Sequence, residues 1–453
     1  MLTEEKTYIN KNIDLIDMVV ETTIPMNFEG FNTNKNKKDI NILSLFSGCG
    51  GMDLGLEGGF ITHKNSVSEA NKTDFVEKNI DKNYVKLKST RFTTVFANDI
   101  LKEAKTAWIH NFTKLGHDSN IFHSESIVDL VKMHKAGADI FPKNVDIVTG
   151  GFPCQDFSIA GKRNGFSSHK DHNGKIIETE IAQEETRGQL YTWMKEVIEI
   201  TKPKIFIAEN VKGLVNLANV KEIIQKDFSK ADENGYIVLN PQVLHAADFG
   251  VPQSRERVIF IGIRKSALSK KALKNLTLGI IPSEYDPYPQ VTHAFKSKKE
   301  GLALSQNLEN IFTYLKEPSL SNDPSQMFYS KAKFMGVHCQ GQTEINLNGI
   351  APTIRAEHHG NIEFRRLSKD NGGKIDFELA KGLVERRLTP RECGLIQSFP
   401  PDFEFVIPKN KNNTQFSLSP SGAYKVIGNA VPPLLAYHIG KRIEKLWDLY
   451  FEK

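Results

Sequence analysis

A cysteine stands at the point of this sequence where an enzyme of alternating strands and helices would hold a reacting group. Cys154 lies in the segment Gly151-Phe152-Pro153-Cys154-Gln155, directly after the apolar run of residues 145–149. A strand over that run would hold the thiol at its carboxyl end, oriented for nucleophilic attack. Lone cysteines are more often buried and inert. At an ordinary pKa of about 8.5 only a few per cent of a thiol is thiolate at neutral pH, so Cys154 needs activating neighbours.

Charged side chains border two later apolar runs. Glu209 follows the run of residues 204–207, and Arg255 and Arg257 precede the run of residues 258–262. A thiol, a carboxylate and guanidiniums at strand ends form a candidate catalytic set. The alternative for Glu209 is an ordinary exposed glutamate at the end of a strand. Arg255 and Arg257 are expected to serve different purposes.

A glycine cluster follows the first apolar run and indicates a ligand-binding turn. Residues 40–45 have strand character, and residues 52–57 have helical character. Between them lies Phe46-Ser47-Gly48-Cys49-Gly50-Gly51. Glycines let a backbone approach a ligand closely, and a helix N-terminus presents free N–H groups. The spacing is not that of a dinucleotide-binding loop, and an isolated cluster of this kind is about as often a plain structural turn.

Taken together and in order, these segments resemble those that define the DNA (cytosine-5) methyltransferases of bacterial restriction-modification systems. The resemblance runs from Phe46 to Pro432 and includes two further segments, Arg387-Leu388-Thr389-Pro390-Arg391-Glu392-Cys393 and Gly428-Asn429-Ala430-Val431-Pro432. It implies an α/β, Rossmann-like S-adenosyl-methionine-dependent methyltransferase fold, with a mixed, mostly parallel sheet and a smaller target-recognition domain. No single segment would be specific, but six in the expected order are.

The resemblance implies a covalent mechanism on cytosine. The Cys154 thiolate would add to carbon 6 of the ring while Glu209 contacts ring nitrogen 3 and the exocyclic amine. Carbon 5 then becomes nucleophilic enough to take a methyl group. For Glu209 to carry a proton near neutrality its pKa must rise from about 4.3, which burial can cause. Of Arg255 and Arg257, one would orient the active site and the other would contact a phosphate, and the sequence does not say which.

The cofactor implied is S-adenosyl-methionine. Asp99, after the run of residues 93–97, is the expected partner of the ribose hydroxyls, although an acidic residue there could also be part of a surface turn. The family pattern of an acidic residue followed by an apolar one is not matched at Glu125-Ser126-Ile127, so the adenine contacts stay unassigned. The full set of expected cofactor-binding residues is Phe46, Gly48, Gly50, Gly51, Asp99, Pro153, Leu190, Asn429 and Val431.

We expect four regions along the chain. They are a polar N-terminal extension (1–39), a catalytic and cofactor-binding domain (40–265), a target-recognition domain (266–423) and a C-terminal segment that returns to the catalytic domain (424–453). Residues 61–91 are rich in Lys, Asn and Asp and are interpreted as an inserted loop or helical excursion. Residues 158–166 are polar, basic and glycine-containing, as a mobile lid would be. Residues 351–361 resemble the family's turn before the base contacts.

The amino-acid composition is consistent with a DNA-binding enzyme but does not by itself indicate one. The chain has 453 residues, 39% of them hydrophobic and 25% charged, and a net charge of +5. Those values are ordinary for a globular protein and favour an anionic partner only weakly. The four cysteines lack a Cys-x-x-Cys spacing, and His358-His359 has no third ligand nearby, so neither disulfides nor a metal site are expected. With no apolar run of about 18 residues and no leader-like start, a cytoplasmic protein is predicted.

The expected partner is double-stranded DNA, with the target cytosine flipped out of the helix. A cognate restriction endonuclease acting separately, no membrane association and a monomeric state are also expected. Two alternatives remain open at this point. A transfer RNA cytosine-5 methyltransferase would share the cysteine chemistry, but the long region of residues 265–385 disfavours it. A catalytically silent DNA-binding relative is disfavoured by the intact Cys154, Glu209 and Asn429.

Overall fold

The computed structural model describes residues 39–152, 190–216, 220–294, 300–332, 343–356, 363–374, 376–410 and 415–452. Its strands are β1 (Ile40–Leu45), β2 (Ile61–His63), β3 (Val76–Asn79), β4 (Tyr84–Leu87), β5 (Phe92–Asn98), β6 (Phe122–His123), β7 (Ile147–Gly150), β8 (Ile205–Val211), β9 (Tyr236–Val238), β10 (Gln242–His245), β11 (Glu256–Arg264), β12 (His293–Ala294), β13 (Ala303–Leu304), β14 (Thr343–Glu344), β15 (Glu363–Arg366), β16 (Arg386–Arg387), β17 (Ile407–Pro408) and β18 (Phe416–Leu418).

Helices flank these strands along the chain. They are α1 (Gly51–Glu57), α2 (Glu69–Phe75), α3 (Lys102–Phe112), α4 (Ile127–Lys135), α5 (Leu190–Thr201), α6 (Val220–Ser229), α7 (Lys270–Leu276), α8 (Leu308–Phe312), α9 (Pro324–Met327), α10 (Asp376–Ala380), α11 (Pro390–Ile396), α12 (Pro420–Asn429) and α13 (Pro433–Phe451). The C-terminal helix α13 packs against α1. A Cβ on Gly55 of α1 would lie 2.3 Å from the Pro433 carbonyl oxygen, so the helices touch through their backbones.

A mixed, mostly parallel sheet forms the centre of the molecule, which confirms the predicted fold class. Its order is β10-β11-β8-β7-β1-β5-β6, with β9 also paired to β11. The strands β8, β7, β1, β5 and β6 run parallel. β11 is antiparallel to β8, and β9 and β10 are antiparallel to β11.

Both faces of β8 are covered, which explains why residues 205–208 form a continuous apolar run. In β8, Ile205 and Ile207 pack into one hydrophobic cluster, while Phe206 and Ala208 pack into another. Parallel strands buried on both sides have this character, whereas a strand with one wet face alternates apolar and polar residues.

The strand order places a crevice at the carboxyl ends of β1 and β7. From β1 the chain builds outward through β5 and β6, then returns to add β7 and β8 on the other side. The connections after β1 and β7 therefore lead to strands on opposite sides of this pair, and such a topological switch point is where open α/β sheets bind ligands. These are the loops that carry the glycine cluster and the segment leading to Cys154.

Residues 61–91 differ from the prediction of a loop or helical excursion. They form a three-stranded antiparallel sheet in the order β2-β4-β3, with the short helix α2 before β3. Val85 and Leu87 join the main hydrophobic cluster, and Phe75 packs edge-on against Tyr437 of α13. The insertion is thus anchored to the C-terminal helix by buried apolar side chains.

Small sheets replace the strand and helix alternation between residues 266 and 423. β12 pairs with β13, β14 to β16 form a three-stranded sheet, and β17 pairs with β18. The predicted start at residue 266 lies just after β11. The predicted end at residue 423 falls inside α12, and α12 contacts α3 of the catalytic domain.

Buried ion pairs organise the part of this region around β15 and β16. Within the described residues its own apolar cluster contains only Phe364 and Leu367, with Ala332 packed against them. Arg366, with a fully buried side chain, binds Glu317 (2.6 Å) and Glu378 (2.6 Å). Glu317 also binds Arg386 at 3.0 Å. Charge pairing therefore links β15, α10, β16 and the segment that carries Glu317.

Replacing Glu317 with glutamine is expected to destabilise this region by about 3 kcal/mol, because it leaves Arg366 and Arg386 buried with less compensating charge. Burial disfavours the carboxylate, but the two arginines outweigh it and lower the pKa of Glu317 to about 2. A depressed carboxyl pKa contributes stability above about pH 4.5 that is lost as the pH falls towards 2. Denaturant unfolding between those pH values should show this loss in the wild type and a smaller one in Glu317→Gln. An unchanged midpoint would refute the role, and Glu309→Gln on α8 is the control.

Candidate active site

A buried ion pair lies where β8 and β11 end side by side. Glu209 Oε1 accepts a hydrogen bond from Arg257 Nε at 2.7 Å, and both side chains are about nine-tenths buried. The strand register explains the contact, since Arg257 is opposite Val211 and therefore diagonal to Glu209 on the same face. Burial raises the pKa of Glu209, while the charges of Arg257 and Arg255 oppose that rise. The carboxyl group is held in place and can carry a proton more readily than an exposed one.

The chain that leads to Cys154 runs directly past this carboxylate. Gly150 of β7 pairs with Ala208 of β8, which brings Gly151 beside Glu209. Asn210 Nδ2 donates to the Phe152 carbonyl oxygen at 3.2 Å, and this hydrogen bond links the end of β8 to the segment after β7. Phe152 is buried. Pro153 and Cys154 themselves lie outside the described residues.

Gly151 leaves the space that the Glu209 carboxylate needs. A Cβ at this position would lie 2.8 Å from Glu209 Oε2. Gly151→Ala is therefore expected to push the carboxylate aside and to lower kcat by up to about 10²-fold, the cost that a misplacement of 1 Å can reach. Single-turnover rates of the methyl transfer that the family resemblance implies would measure it. Gly279→Ala is the control, because nothing lies within 4 Å of its added Cβ; equal rates for the two variants would contradict the account.

Arg255 takes a different position from Arg257. It precedes β11, is 1% exposed, and donates to the carbonyl oxygens of Ile354, Gly428 and Ala430 at 3.0, 2.9 and 2.8 Å. The phosphate contact expected for one of the two arginines does not fit Arg255, because its guanidinium is buried against protein carbonyls. Of the two, Arg257 contacts the Glu209 carboxylate.

The glycine loop after β1 leaves room for a ligand. Phe46 and Gly48 both have positive φ, at 53° and 57°, and a Cβ on Gly48 would meet nothing within 4 Å. Gly50 and Gly51 instead face protein. A Cβ on Gly50 would lie 2.2 Å from the Phe112 ring, and one on Gly51 would lie 2.3 Å from the Val431 carbonyl oxygen. The loop is thus closely packed on one side and open at Gly48.

Asp99 faces this loop from the end of β5. Its Oδ2 accepts from the Gly48 backbone N–H at 3.0 Å, and its Oδ1 accepts from the Leu101 N–H at 2.8 Å. Each carboxylate oxygen keeps a further acceptor site for a ligand hydroxyl. An open glycine loop beside a fixed carboxylate fits the adenosine and methionine parts of S-adenosyl-methionine.

Leu190, Asn429 and Val431 are the other predicted cofactor residues that the structure describes. Leu190, at the start of α5, is buried in the hydrophobic cluster that also contains Phe152 and against which Phe46 packs. Asn429 is exposed at the end of α12, and Val431 is buried against the glycine loop. The structure therefore brings the N-terminal and C-terminal segments together here.

Ser126 serves the helix rather than standing free in the crevice. Its hydroxyl caps α4 by accepting from the Val128 N–H at 3.3 Å. The adenine contact that is unassigned from the sequence is not supplied by an acidic side chain at this position.

Sequence reasoning did not predict the support beneath the glycine loop. Asp53 in α1 is fully buried, accepts from Ser44 Oγ at 2.6 Å and from Trp108 Nε1 at 2.9 Å, and its burial raises its pKa to about 6. Trp108 stacks on Phe112, the ring that lies against Gly50. The sequence does show an acidic residue two positions after the glycines. Its burial could not be predicted, because its hydrogen-bond partners Ser44 and Trp108 lie in β1 and α3.

Across the described residues, no group of three or more His, Cys, Asp or Glu side chains is placed to hold a metal ion. His358 and His359 lie outside those residues. Among the helices described, none is both long and apolar enough to cross a membrane.

Comparison with known proteins agrees with this geometry. A family model described as C-5 cytosine-specific DNA methylase matches residues 40–445. The Type II methyltransferase M.BsuRI of Bacillus subtilis is 31% identical over 433 residues, which cover 93% of this chain and 82% of that protein. M.BspRI of Lysinibacillus sphaericus, also a Type II methyltransferase, is 31% identical over 410 residues, covering 89% and 81%.

Solved structures show a similar fold. The S. pombe Dnmt2 methyltransferase matches with a TM-score of 0.50 at 17% sequence identity, covering 90% of this chain and 99% of that one. At this identity the match concerns the fold alone.

Proposed function

This chain belongs to the C-5 cytosine-specific DNA methylases, and on that premise we propose which of its residues carry out the reaction. The enzyme transfers a methyl group from S-adenosyl-methionine to carbon 5 of cytosine in DNA. When bound, the cofactor supplies an electrophilic methyl group on a sulfonium. Residues of the glycine loop, with Asp99, Leu190, Asn429 and Val431, would hold it in the crevice at the ends of β1 and β7.

Cys154 is the proposed nucleophile. Its thiolate adds to carbon 6 of cytosine and breaks the ring's conjugation, which moves electron density to carbon 5. After carbon 5 has been methylated, its proton passes to solvent water and the carbon 6–sulfur bond breaks, so that the Cys154 sulfur leaves as a thiolate. The thiolate is thereby regenerated, so the cysteine acts catalytically.

Glu209 is the proposed partner of ring nitrogen 3 and the exocyclic amine. A protonated carboxyl group at nitrogen 3 stabilises the negative charge that sulfur addition places on the ring. Arg257 orients this group through the 2.7 Å ion pair. The observation that carries the proposal is this buried ion pair beside the Gly151-Phe152 segment. The hydrogen bond from Asn210 to Phe152 links that segment to β8.

Access to carbon 6 requires that the target cytosine leave the duplex, at a cost of a few kcal/mol. We assign target recognition to the region after β11, beginning at residue 266. A monomer suffices in this scheme, because one chain carries the thiol, the carboxyl group and the cofactor crevice. As for the Type II relatives, we propose a place in a restriction-modification system, with the nuclease a separate protein and both acting in the cytoplasm.

Bisulfite sequencing of DNA from a host that expresses the chain tests this function. The expected result is protected cytosines at a single short sequence, and none in a host that expresses Cys154→Ala. Purified enzyme should label duplex DNA and leave transfer RNA unlabelled. Labelling of transfer RNA alone would establish the competing activity, and no labelling of either would indicate a silent relative.

A further inference from the structure

Two buried side chains just before β11 hold a segment that is distant in sequence. Gln253 and Arg255 are 0% and 1% exposed. Gln253 Oε1 accepts from the Ile354 N–H at 3.0 Å, and Arg255 Nη1 donates to the Ile354 carbonyl at 3.0 Å. Both backbone groups of Ile354 are therefore bound by side chains two positions apart. A backbone bridge between Gln253 and Ala351 adds to this attachment.

The same guanidinium holds the C-terminal part of the crevice. Arg255 Nη2 donates to the carbonyls of Gly428 and Ala430, which flank Asn429. Gln253 is linked to the same part of the chain through Gln397. Gln253 Nε2 donates to Gln397 Oε1 at 2.9 Å, and Gln397 Nε2 donates to the Ile427 carbonyl oxygen at 2.7 Å.

Direct contact between the two segments completes the arrangement. A Cβ on Gly428 would lie 2.2 Å from the Ala356 nitrogen, so the backbones touch. Residues 351–356 belong to the proposed recognition region, and residues 428–431 to the proposed cofactor crevice. Arg255 is also two residues from Arg257, the partner of Glu209. One guanidinium thus joins the parts of the chain that should meet DNA and cofactor.

We propose that Arg255 is a positioning residue that couples DNA binding to cofactor binding, an inference that rests on the function proposed above. Binding of either ligand favours the arrangement in which Arg255 holds both segments, so each ligand strengthens the binding of the other. Such coupling is reciprocal and typically changes an affinity by about 5- to 150-fold. A planar guanidinium can serve three carbonyls in fixed directions, which a lysine ammonium on a flexible stem cannot reproduce.

The test is a thermodynamic cycle with S-adenosyl-homocysteine as the cofactor probe. Its Kd is measured with and without saturating duplex DNA that carries the methylated sequence. In the wild type, DNA should tighten binding by about 5-fold or more. The coupling factor is the ratio of the Kd without DNA to the Kd with DNA. In Arg255→Lys this factor should fall to about 1 to 2. A purely structural role would weaken both affinities and leave the factor unchanged.

Two further variants keep the result interpretable. Arg442 also donates to two backbone carbonyls, those of Ser283 and Asp286, and lies away from the crevice, so Arg442→Lys should keep the wild-type factor. If Arg255→Lys does not fold, Thr353→Val removes only the Thr353 hydroxyl bond to the Ser254 carbonyl and should lower the factor partly.

A wild-type factor retained in Arg255→Lys, or in Thr353→Val where the first variant does not fold, overturns the proposal. So does a factor of about 1 in a wild-type enzyme that methylates DNA. Failure of the wild type to methylate DNA would instead overturn the proposed function.

Discussion

Cys154→Ala is expected to lower the methyl-transfer rate by at least about 10⁴-fold, because it removes the only group that can add to carbon 6 in the proposed mechanism. Cofactor affinity should remain within a few-fold of the wild type. The glycine loop and Asp99, which face the cofactor crevice, follow β1 and β5, whereas Cys154 follows β7. Transfer of a labelled methyl group to duplex DNA and calorimetric titration with S-adenosyl-homocysteine measure the two quantities.

Cys393→Ala is the matched control for this variant. Cys393 is a buried free thiol in α11, so its replacement also removes a thiol from the enzyme. It should retain the wild-type rate per folded molecule. Turnover by Cys154→Ala at the rate of this control would remove Cys154 from the mechanism.

Glu209→Gln is expected to lower the rate by about 10²- to 10⁴-fold, the range for loss of a positioned acid or base. The amide keeps the shape of the carboxyl group but cannot transfer a proton to ring nitrogen 3. Cys154 must be deprotonated while Glu209 must be protonated, so the wild-type rate should rise and then fall with pH. Because burial raises the pKa of Glu209, the falling limb lies above the ordinary carboxyl range. That limb should disappear in Glu209→Gln.

Glu256→Gln controls for the loss of a carboxylate on the neighbouring strand β11. Glu256 pairs with Lys212 at 2.7 Å, and both side chains are largely exposed. Such a pair contributes little, so rate and pH profile should stay those of the wild type. A pH profile of Glu209→Gln that matches the wild type would show that another group supplies the proton.

Much of the catalytic domain could be predicted from local sequence. β1 was expected over residues 40–45 and is observed over those residues, because the segment is mostly apolar and all of it except Asn41 is buried. The glycine loop was recognisable because the close approach at Gly50 and Gly51 excludes other residues. The ordering of the segments then indicated the family.

Contacts between distant segments could not be predicted in this way. Arg255 binds carbonyls 99, 173 and 175 positions away, and a backbone carbonyl carries no sequence signal. The sequence could not say which of Arg255 and Arg257 contacts Glu209, and their separate roles stay a prediction. Identifying the contact required the register of β8 against β11.

The insertion at residues 61–91 was misread for a different reason. Its strands are only three or four residues long, and β3 is mostly exposed. The alternation of apolar and polar residues that indicates a strand is therefore too short to recognise. The surrounding Lys, Asn and Asp residues are typical of loops. Only the burial of Phe75, Val85 and Leu87 against the rest of the molecule shows that the segment is part of the core.

Covalent trapping on a modified duplex tests the central claim most directly. The duplex carries the methylated sequence with 5-fluorocytosine at the target position and is incubated with enzyme and S-adenosyl-methionine. Fluorine at carbon 5 cannot leave as a proton, so elimination stops and the sulfur stays bonded to carbon 6. The account predicts a denaturation-resistant complex whose peptide map places the DNA on Cys154. An enzyme that methylates ordinary cytosine yet forms no such complex, or forms it through another residue, would contradict the account.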